Sequence, residues 1–104
     1  MIFIAEWIPV GKAADVPTGT GKTVSAKGKD IALFNAAGSF YAIDNTCKHM
    51  GGPLGEGELD GEIVACPWHG WKYNVKTGVN AVIPTIKVDV FKTKVENGEV
   101  FVEV

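Results

Sequence analysis

The chain has 104 residues, of which 46% are apolar and 21% charged, and its formal net charge is −2. This length predicts a single domain, residues 1–104, with one hydrophobic core. Lysine and arginine do not cluster, so we expect no nucleic-acid partner. No apolar run approaches the ~20 residues that span a bilayer, and the first residues lack the positive charge of a signal peptide. We therefore expect a cytoplasmic protein with no membrane partner.

Short β-rich runs separated by turns follow one another along the chain. Tight hairpins are predicted between Asn35 and Phe40, at Asp60-Gly61 and at Asn97-Gly98, because these turn sequences suit positive φ. No segment keeps the 3.6-residue apolar period of a long helix. The fold is predicted to be all-β, a small antiparallel barrel or sandwich. The predicted strands are Phe3–Trp7, Thr23–Ala26, Asp30–Asn35, Phe40–Asp44, Ile63–Cys66, Lys72–Val75, Thr85–Phe91, Thr93–Glu96 and Val100–Val104.

Glycine becomes dense between residues 45 and about 84. We interpret this segment as a subdomain inserted into a more regular β base formed by residues 1–44 and 85–104. A second glycine-rich segment, Gly19–Thr23, resembles a phosphate-binding loop. The full pattern requires a glycine where the chain has Val16, and no helix is predicted to follow, so we expect a turn there.

All the cysteines and histidines of the chain fall into two short motifs. The first is Cys47-Lys48-His49 and the second is Cys66-Pro67-Trp68-His69. Cysteine and histidine are typical ligands of transition metals, although a buried cysteine is often only a small apolar side chain. A structural zinc site accepts two cysteines and two histidines. The alternative is an iron–sulfur cluster, which the pairing of one cysteine with one histidine in each motif favours.

The two motifs resemble the C-x-H and C-x-x-H motifs of the Rieske family, and their sixteen-residue separation is similar to that of the family. Gly51-Gly52-Pro53-Leu54 and Gly70-Trp71-Lys72-Tyr73, which follow the two motifs, strengthen the resemblance. It implies a Rieske-type fold and one [2Fe–2S] cluster. Cys47 and Cys66 would bind one iron, and His49 and His69 would bind the other.

The residues around the motifs indicate which kind of Rieske protein the chain resembles. High-potential members have a disulfide at the positions of Gly52 and Trp68 and a serine at the position of Trp71; of their features only Tyr73 is retained. Because hydrogen bonds to sulfur raise the potential, the resemblance implies a low-potential carrier. For Tyr73, a core aromatic ring with its hydroxyl at the surface is an alternative.

This type of Rieske protein is a soluble one-electron carrier with no substrate of its own. The resemblance implies two partners, a flavin-dependent NAD(P)H reductase and a terminal oxygenase. The alternatives are the small Rieske-like subunit of an assimilatory nitrite reductase and a zinc-held interaction module.

An apolar collar is predicted around the histidine ligands. It would either dock a partner or shield the cluster from water. Pro84 also resembles the proline loop that covers the cluster in the family. The predicted collar residues are Met50, Leu54, Trp68, Trp71 and Pro84.

Overall fold

The computed structural model describes residues 6–48, 51–68 and 70–104. Two single-turn 3-10 helices, Ala13–Asp15 and Leu54–Glu56, are the only helical segments of that part of the chain, and neither is long enough to cross a membrane. The strands are β1 (Trp7–Lys12), β2 (Thr20–Ala26), β3 (Lys29–Ala36), β4 (Ser39–Asp44), β5 (Glu58–Asp60), β6 (Ile63–Ala65), β7 (Lys72–Asn74), β8 (Val90–Phe91), β9 (Thr93–Glu96) and β10 (Glu99–Glu103).

The ten strands form three antiparallel sheets, which confirms the predicted all-β fold. The first sheet has the order β1-β10-β9, the second β2-β3-β4-β8 and the third β5-β6-β7. In β1 the pairing with β10 shifts between Pro9 and Gly11, which is a β-bulge at an edge strand. Most neighbouring strands are also neighbours in sequence. Tight hairpins connect them, except that residues 66–71 join β6 to β7.

The predicted hairpins are present. Ala37 and Gly38 join β3 to β4 with φ values of 54° and 92°, and Asn97 and Gly98 join β9 to β10 with 52° and 77°. Two consecutive residues at positive φ define the turn that matches the twist of a two-residue hairpin. Gly61, at φ 63°, is the first residue of the turn between β5 and β6.

Strand β3 is buried on both faces and separates two apolar clusters. Ile31 and Leu33 lie in one cluster, with β10 residues such as Val102. Ala32 and Phe34 lie in the other, which also contains both cysteines. The alternation follows from the two-residue period of a strand. We call the cluster that contains Ile31 and Leu33 the base core, and the cluster that contains both cysteines the cysteine core.

Three sequence predictions about elements were wrong, and a fourth is tested only in part. Residues 3–5 of the predicted strand Phe3–Trp7 lie outside the described residues; Trp7 begins the first described strand, which continues to Lys12. This continuation was not predicted, because proline and glycine, here Pro9 and Gly11, are disfavoured in strands. Only Val90–Phe91 of the predicted strand Thr85–Phe91 is a strand. Strand β5 was missed, because Leu59 is its only apolar residue. The Gly19–Thr23 segment is a turn only at its start and then continues as β2.

The third sheet lies wholly within residues 45–84, and the strands of the first two sheets lie outside that range. This arrangement is compatible with an inserted subdomain, and the division itself stays a prediction. Asn45 joins the two parts from a buried position. Its Oδ1 accepts hydrogen bonds from Gly55 N at 2.7 Å and from Thr23 Oγ1 of β2 at 3.1 Å. The segment after β4 is therefore attached to the second sheet.

Gly55 lies so close to β2 that there is no room for a side chain at residue 55. A Cβ at residue 55 would lie 2.6 Å from Thr23 Oγ1 and 2.8 Å from Thr23 N. We expect Gly55→Ala to lower the free energy of unfolding by about 2–3 kcal/mol through overpacking. Gly61→Ala is the control, since Gly61 has open space and only a positive φ, which costs about 1 kcal/mol. Urea unfolding measures both; a smaller loss for Gly55→Ala would contradict the steric explanation.

Candidate metal centre

Two loops present the cysteine residues, and each begins just after a strand. In the first loop, Cys47 follows β4 after two residues. Its backbone N–H donates to Gly52 O at 3.0 Å, and its carbonyl accepts a hydrogen bond from Gly51 N at 2.9 Å. Gly51 has a φ of 80°, which closes the loop back on the cysteine. Thr46 and Pro53 form a β-bridge at the base of this loop.

The second loop repeats this pattern. Cys66 follows β6 directly, its N–H donates to Trp71 O at 2.7 Å, and its carbonyl accepts from Gly70 N at 2.9 Å. Gly70, at φ 73°, corresponds to Gly51 of the first loop. In both loops the cysteine carbonyl binds the residue four positions later, and the cysteine N–H binds the residue five positions later. The two motifs therefore differ in sequence spacing but have the same backbone hydrogen bonds at their ends.

Both cysteine side chains are buried, with 2% of Cys47 and 4% of Cys66 exposed, and both belong to the cysteine core. The two loops are in contact where Gly52 approaches the second loop. A Cβ at residue 52 would lie 2.6 Å from Cys66 Sγ and 3.1 Å from the ring of Trp68. Gly52 and Trp68, which the resemblance places at the disulfide positions of high-potential members, thus lie side by side, and the absence of a side chain at Gly52 allows the close approach.

Tyr73 lies on β7 and is fully buried, and its side chain extends to the first loop. Its hydroxyl is 3.5 Å from Cys47 Sγ and accepts a hydrogen bond from Lys48 N at 3.2 Å. The alternative in which this hydroxyl lies at the surface is therefore wrong. The ring fills the cysteine core, and the polar end of the side chain reaches the sulfur.

The surroundings of the Tyr73 hydroxyl disfavour its ionised form. Burial raises the pKa of Tyr73 to about 12, and the hydrogen bond and nearby charge of Cys47 act in the same direction. Hydrogen bonds from Lys48 N–H and the Asn80 side chain lower the pKa and only partly offset these effects. The hydroxyl therefore keeps its proton at neutral pH.

The structure contradicts the collar prediction for one residue, and for the others the collar stays a prediction. Trp68 is 56% exposed and Pro84 is exposed, as expected for residues at a docking surface. Trp71 is half-buried and packs against the cysteine core, which favours the shielding alternative for it. Leu54 is fully buried and belongs to that core, so it is not part of a collar. The remaining predicted collar residue and both histidines, Met50, His49 and His69, lie outside the described residues.

Two polar residues near the site were missed in the sequence. Asn45 and Asn80 are both buried, and their side-chain oxygens accept hydrogen bonds from backbone N–H groups of adjacent loops. For Asn80 the sequence signal was an asparagine at the start of an irregular segment, since asparagine side chains commonly bind the backbone two or three residues later. Asn45 binds the distant Gly55 N and therefore gave no such local signal.

The described part of the site fits the two sulfur ligands of an iron–sulfur cluster. It places two buried thiol groups in loops of equal backbone geometry, with a hydrogen-bonding hydroxyl at one sulfur. The sequence supplies one histidine in each loop, and two cysteines with two histidines are the ligand set of a Rieske centre. The fold and site thus define a small all-β protein with a paired-loop metal centre.

The comparisons identify the family. The model of the Rieske [2Fe-2S] domain matches residues 6–95, and the chain belongs to this family, whose domain binds a single [2Fe–2S] cluster. A similar relative is ferredoxin CarAc of Metapseudomonas resinovorans, which is 40% identical over 98 residues, 92% of each chain.

Solved structures agree with this fold. A chain in the complex of reduced oxygenase and oxidized ferredoxin of carbazole 1,9a-dioxygenase matches with a TM-score of 0.84 and 39% identity, covering 92% of this chain and 91% of that one. The putative NADH-dependent nitrite reductase small subunit of Mycobacterium tuberculosis matches with a TM-score of 0.89 but 23% identity, covering 98% and 97%. The second likeness shows the fold alone.

Because the Tyr73 hydroxyl lies next to Cys47 Sγ, we expect it to affect the reduction potential of the bound cluster. A hydrogen bond to a sulfur ligand stabilises the more negative, reduced centre. We expect Tyr73→Phe to lower the potential by on the order of 40 mV, which corresponds to about 1 kcal/mol for one electron. Tyr41→Phe is the control, because Tyr41 is the other tyrosine of the chain and packs against the same core. Protein-film voltammetry measures both, and equal potentials for all three proteins would contradict the assignment.

The raised pKa of Tyr73 predicts a pH dependence. Because the folded-state pKa is about 12 and the ordinary value is 10.0, the stability that Tyr73 contributes is complete below pH 10. It is lost as the pH rises from 10 toward 12, by up to about 1.4 kcal/mol per pH unit. The difference in phenolate absorbance between the wild type and Tyr73→Phe isolates this residue. Ionisation of Tyr73 at pH 10 in the folded protein would contradict the prediction.

Proposed function

We propose that this protein is a one-electron carrier that receives electrons from a flavin-dependent NAD(P)H reductase and delivers them to a terminal oxygenase. The observation that carries the proposal is the pair of matched cysteine loops with Tyr73 against Cys47. The similarity to the ferredoxin CarAc over 92% of both chains supports it. We also propose the cytoplasm as its location.

In this proposal the cluster is held by Cys47, His49, Cys66 and His69. A [2Fe–2S] cluster, when bound, supplies a single electron through the change of one iron between ferric and ferrous. Cys47 and Cys66 provide thiolates from the buried side, where the cysteine core excludes water. Tyr73 donates its proton toward Cys47 Sγ, and Trp71 packs against the same core. We expect a low potential, because Trp71 replaces the serine of the high-potential members and the loop disulfide has no counterpart.

An exposed apolar surface at the second loop supports transient docking. Val82 is 78% exposed and Ile83 42% exposed, and both lie beside the exposed Pro84. A cavity of about 300 Å³ separates this segment from the second loop and is lined by Gly70, Trp71, Lys72, Asn80, Val82 and Ile83. Exposed apolar patches mark interaction sites, and carriers that bind and release use small contacts. We call residues 82–84 the tip segment.

Two alternatives have weaker support. A nitrite reductase small subunit has the same fold, but the likeness is 23% identical, whereas the likeness to the carbazole dioxygenase complex is 39% identical. A zinc-held module would use the same four ligands. The family match to a [2Fe–2S] domain disfavours it.

The proposed carrier role predicts two iron and two sulfide ions per chain, a rhombic EPR signal on reduction and uptake of one electron. We expect the oxygenase component of carbazole 1,9a-dioxygenase to accept this electron. Ile83→Asp should slow that transfer about 10-fold or more, because docking would bury a carboxylate, and should leave the potential nearly unchanged.

Val95→Asp is the matched control, since Val95 is 46% exposed but lies on β9 in the first sheet. Stopped-flow spectrophotometry follows the oxidation of the reduced carrier. Equal slowing by both variants would contradict docking at the tip segment. A colourless protein with one zinc per chain would overturn the carrier role itself.

A further inference from the structure

The two ligand loops and the tip segment lie next to one another at the metal centre. Gly52 of the first loop lies beside Trp68 of the second, and the cavity of about 300 Å³ separates the second loop from the tip segment. With the residues that flank them, these segments are 46–53, 66–72 and 80–87. They contain three lysines, and the twelve acidic residues of the chain all lie elsewhere in the sequence. The charge of the chain, −2 in total, is therefore unevenly distributed.

The three lysines, Lys48, Lys72 and Lys87, are exposed. The backbone N–H of Lys48 donates to the Tyr73 hydroxyl at 3.2 Å, which fixes its place in the first loop. Lys72 lines the cavity beside the tip segment. Lys87 follows the tip segment, and a β-bridge to Val79 fixes its backbone. We call these three residues the lysine set; they are far apart in the sequence, and the fold brings their segments together.

No ion pair neutralises the lysine set within the described part of the chain. The salt bridges of that part join Lys27 to Glu6 and Lys94 to Glu96. Lys72 also borders a groove with the two carboxylates of β5, without an ion pair to either. A reduced [2Fe–2S] cluster held by two thiolates and two neutral imidazoles has one negative formal charge. The three ammonium groups exceed it, so the surface formed by these segments is positive.

Exposed lysines alone often do no more than keep a surface soluble, so the apolar residues beside them decide the interpretation. Val82 is 78% and Ile83 42% exposed, and both share the cavity with Lys72. Asp44, the acidic residue nearest in sequence to the first loop, accepts a hydrogen bond from Thr46 N at 2.9 Å. A positive surface around an exposed apolar segment fits a partner with carboxylates around an apolar patch, because complementary potentials select and orient partners.

We propose that the partner protein presents an acidic surface to this end of the molecule, with its carboxylates near the lysine set and an apolar group against the tip segment. The proposal rests on the proposed function and specifies the chemistry of the partner. A protein is favoured over an anionic lipid surface, because the electron must pass from the metal centre to a second redox centre. Opposite charges also raise the association rate at low ionic strength.

Two redox proteins of opposite charge test this proposal: plastocyanin, an acidic copper protein, and cytochrome c, a basic haem protein. Stopped-flow spectrophotometry gives the second-order rate constants for oxidation of the reduced holoprotein by each. Raising the ionic strength from about 10 to about 200 mM should slow transfer to plastocyanin on the order of threefold or more, because salt screens the attraction. The net charge of −2 alone predicts the opposite, an acceleration by salt.

The variants Lys48→Gln, Lys72→Gln and Lys87→Gln, singly and together, locate the charges responsible. The measured quantity is the ratio of the rate constants for plastocyanin and cytochrome c, since a changed reduction potential of the donor affects both in the same direction. We expect this ratio to fall about twofold in each single variant and about 10-fold in the triple variant. Lys12→Gln is the matched control. Lys12 is exposed at the end of β1 in the first sheet, and its loss should leave the ratio unchanged.

The outcomes are distinguishable. Iron and sulfide are determined first, and a wild type without a two-iron cluster overturns the carrier role together with this proposal. With the cluster present, faster transfer to plastocyanin at higher ionic strength, or an equal fall in the ratio for Lys12→Gln, overturns the acidic partner and leaves the carrier role intact. Sedimentation with phosphatidylglycerol vesicles that depends on the lysine set, without a preference for plastocyanin, identifies a lipid surface and also overturns it. Thermal unfolding midpoints show whether each variant is folded, and the single variants suffice if the triple variant does not fold.

Discussion

The burial of strand β3 on both faces is the constraint on which the rest of the structure depends. Ile31 and Leu33 complete the base core, while Ala32 and Phe34 complete the cysteine core. A strand has only two faces, so neither core can change its register without disturbing the other. The two cysteines thus lie on the reverse side of the strand that holds the base together, and their position is fixed by packing instead of by a flexible connection.

The irregular segments are held from inside by amide side chains. The buried polar residues of the described part of the chain are asparagines: Asn35, Asn45 and Asn80. Each accepts at least one hydrogen bond from the backbone of a neighbouring turn or loop. A buried amide without partners would cost free energy, so each of these side chains stabilises only the loop conformation that satisfies it. The loops around the cysteines therefore gain order without long strands or helices.

The sequence was informative where a residue type has few alternative uses. Cys47 and Cys66 were predicted as the sulfur ligands, and the structure brings both into one core. Asn97-Gly98 predicted its hairpin, because few dipeptides accept two positive φ values. Strand β5 and residues 85–89 were misassigned, since their conformation depends on neighbouring segments more than on local preference. The pairing of Asn80 opposite Tyr73 could not be predicted, because it depends on the register of a single isolated β-bridge.

The edge strands of the three sheets influence whether copies of the protein associate with one another at high concentration. Open edges invite pairing with a second chain and then aggregation. Each sheet has one edge of this kind: β1 carries Pro9 and a bulge, β8 has only two residues, and β5 carries Glu58 and Asp60. These features oppose strand addition and self-association. A protein that works through brief encounters benefits, because each encounter then ends in release and not in a growing polymer.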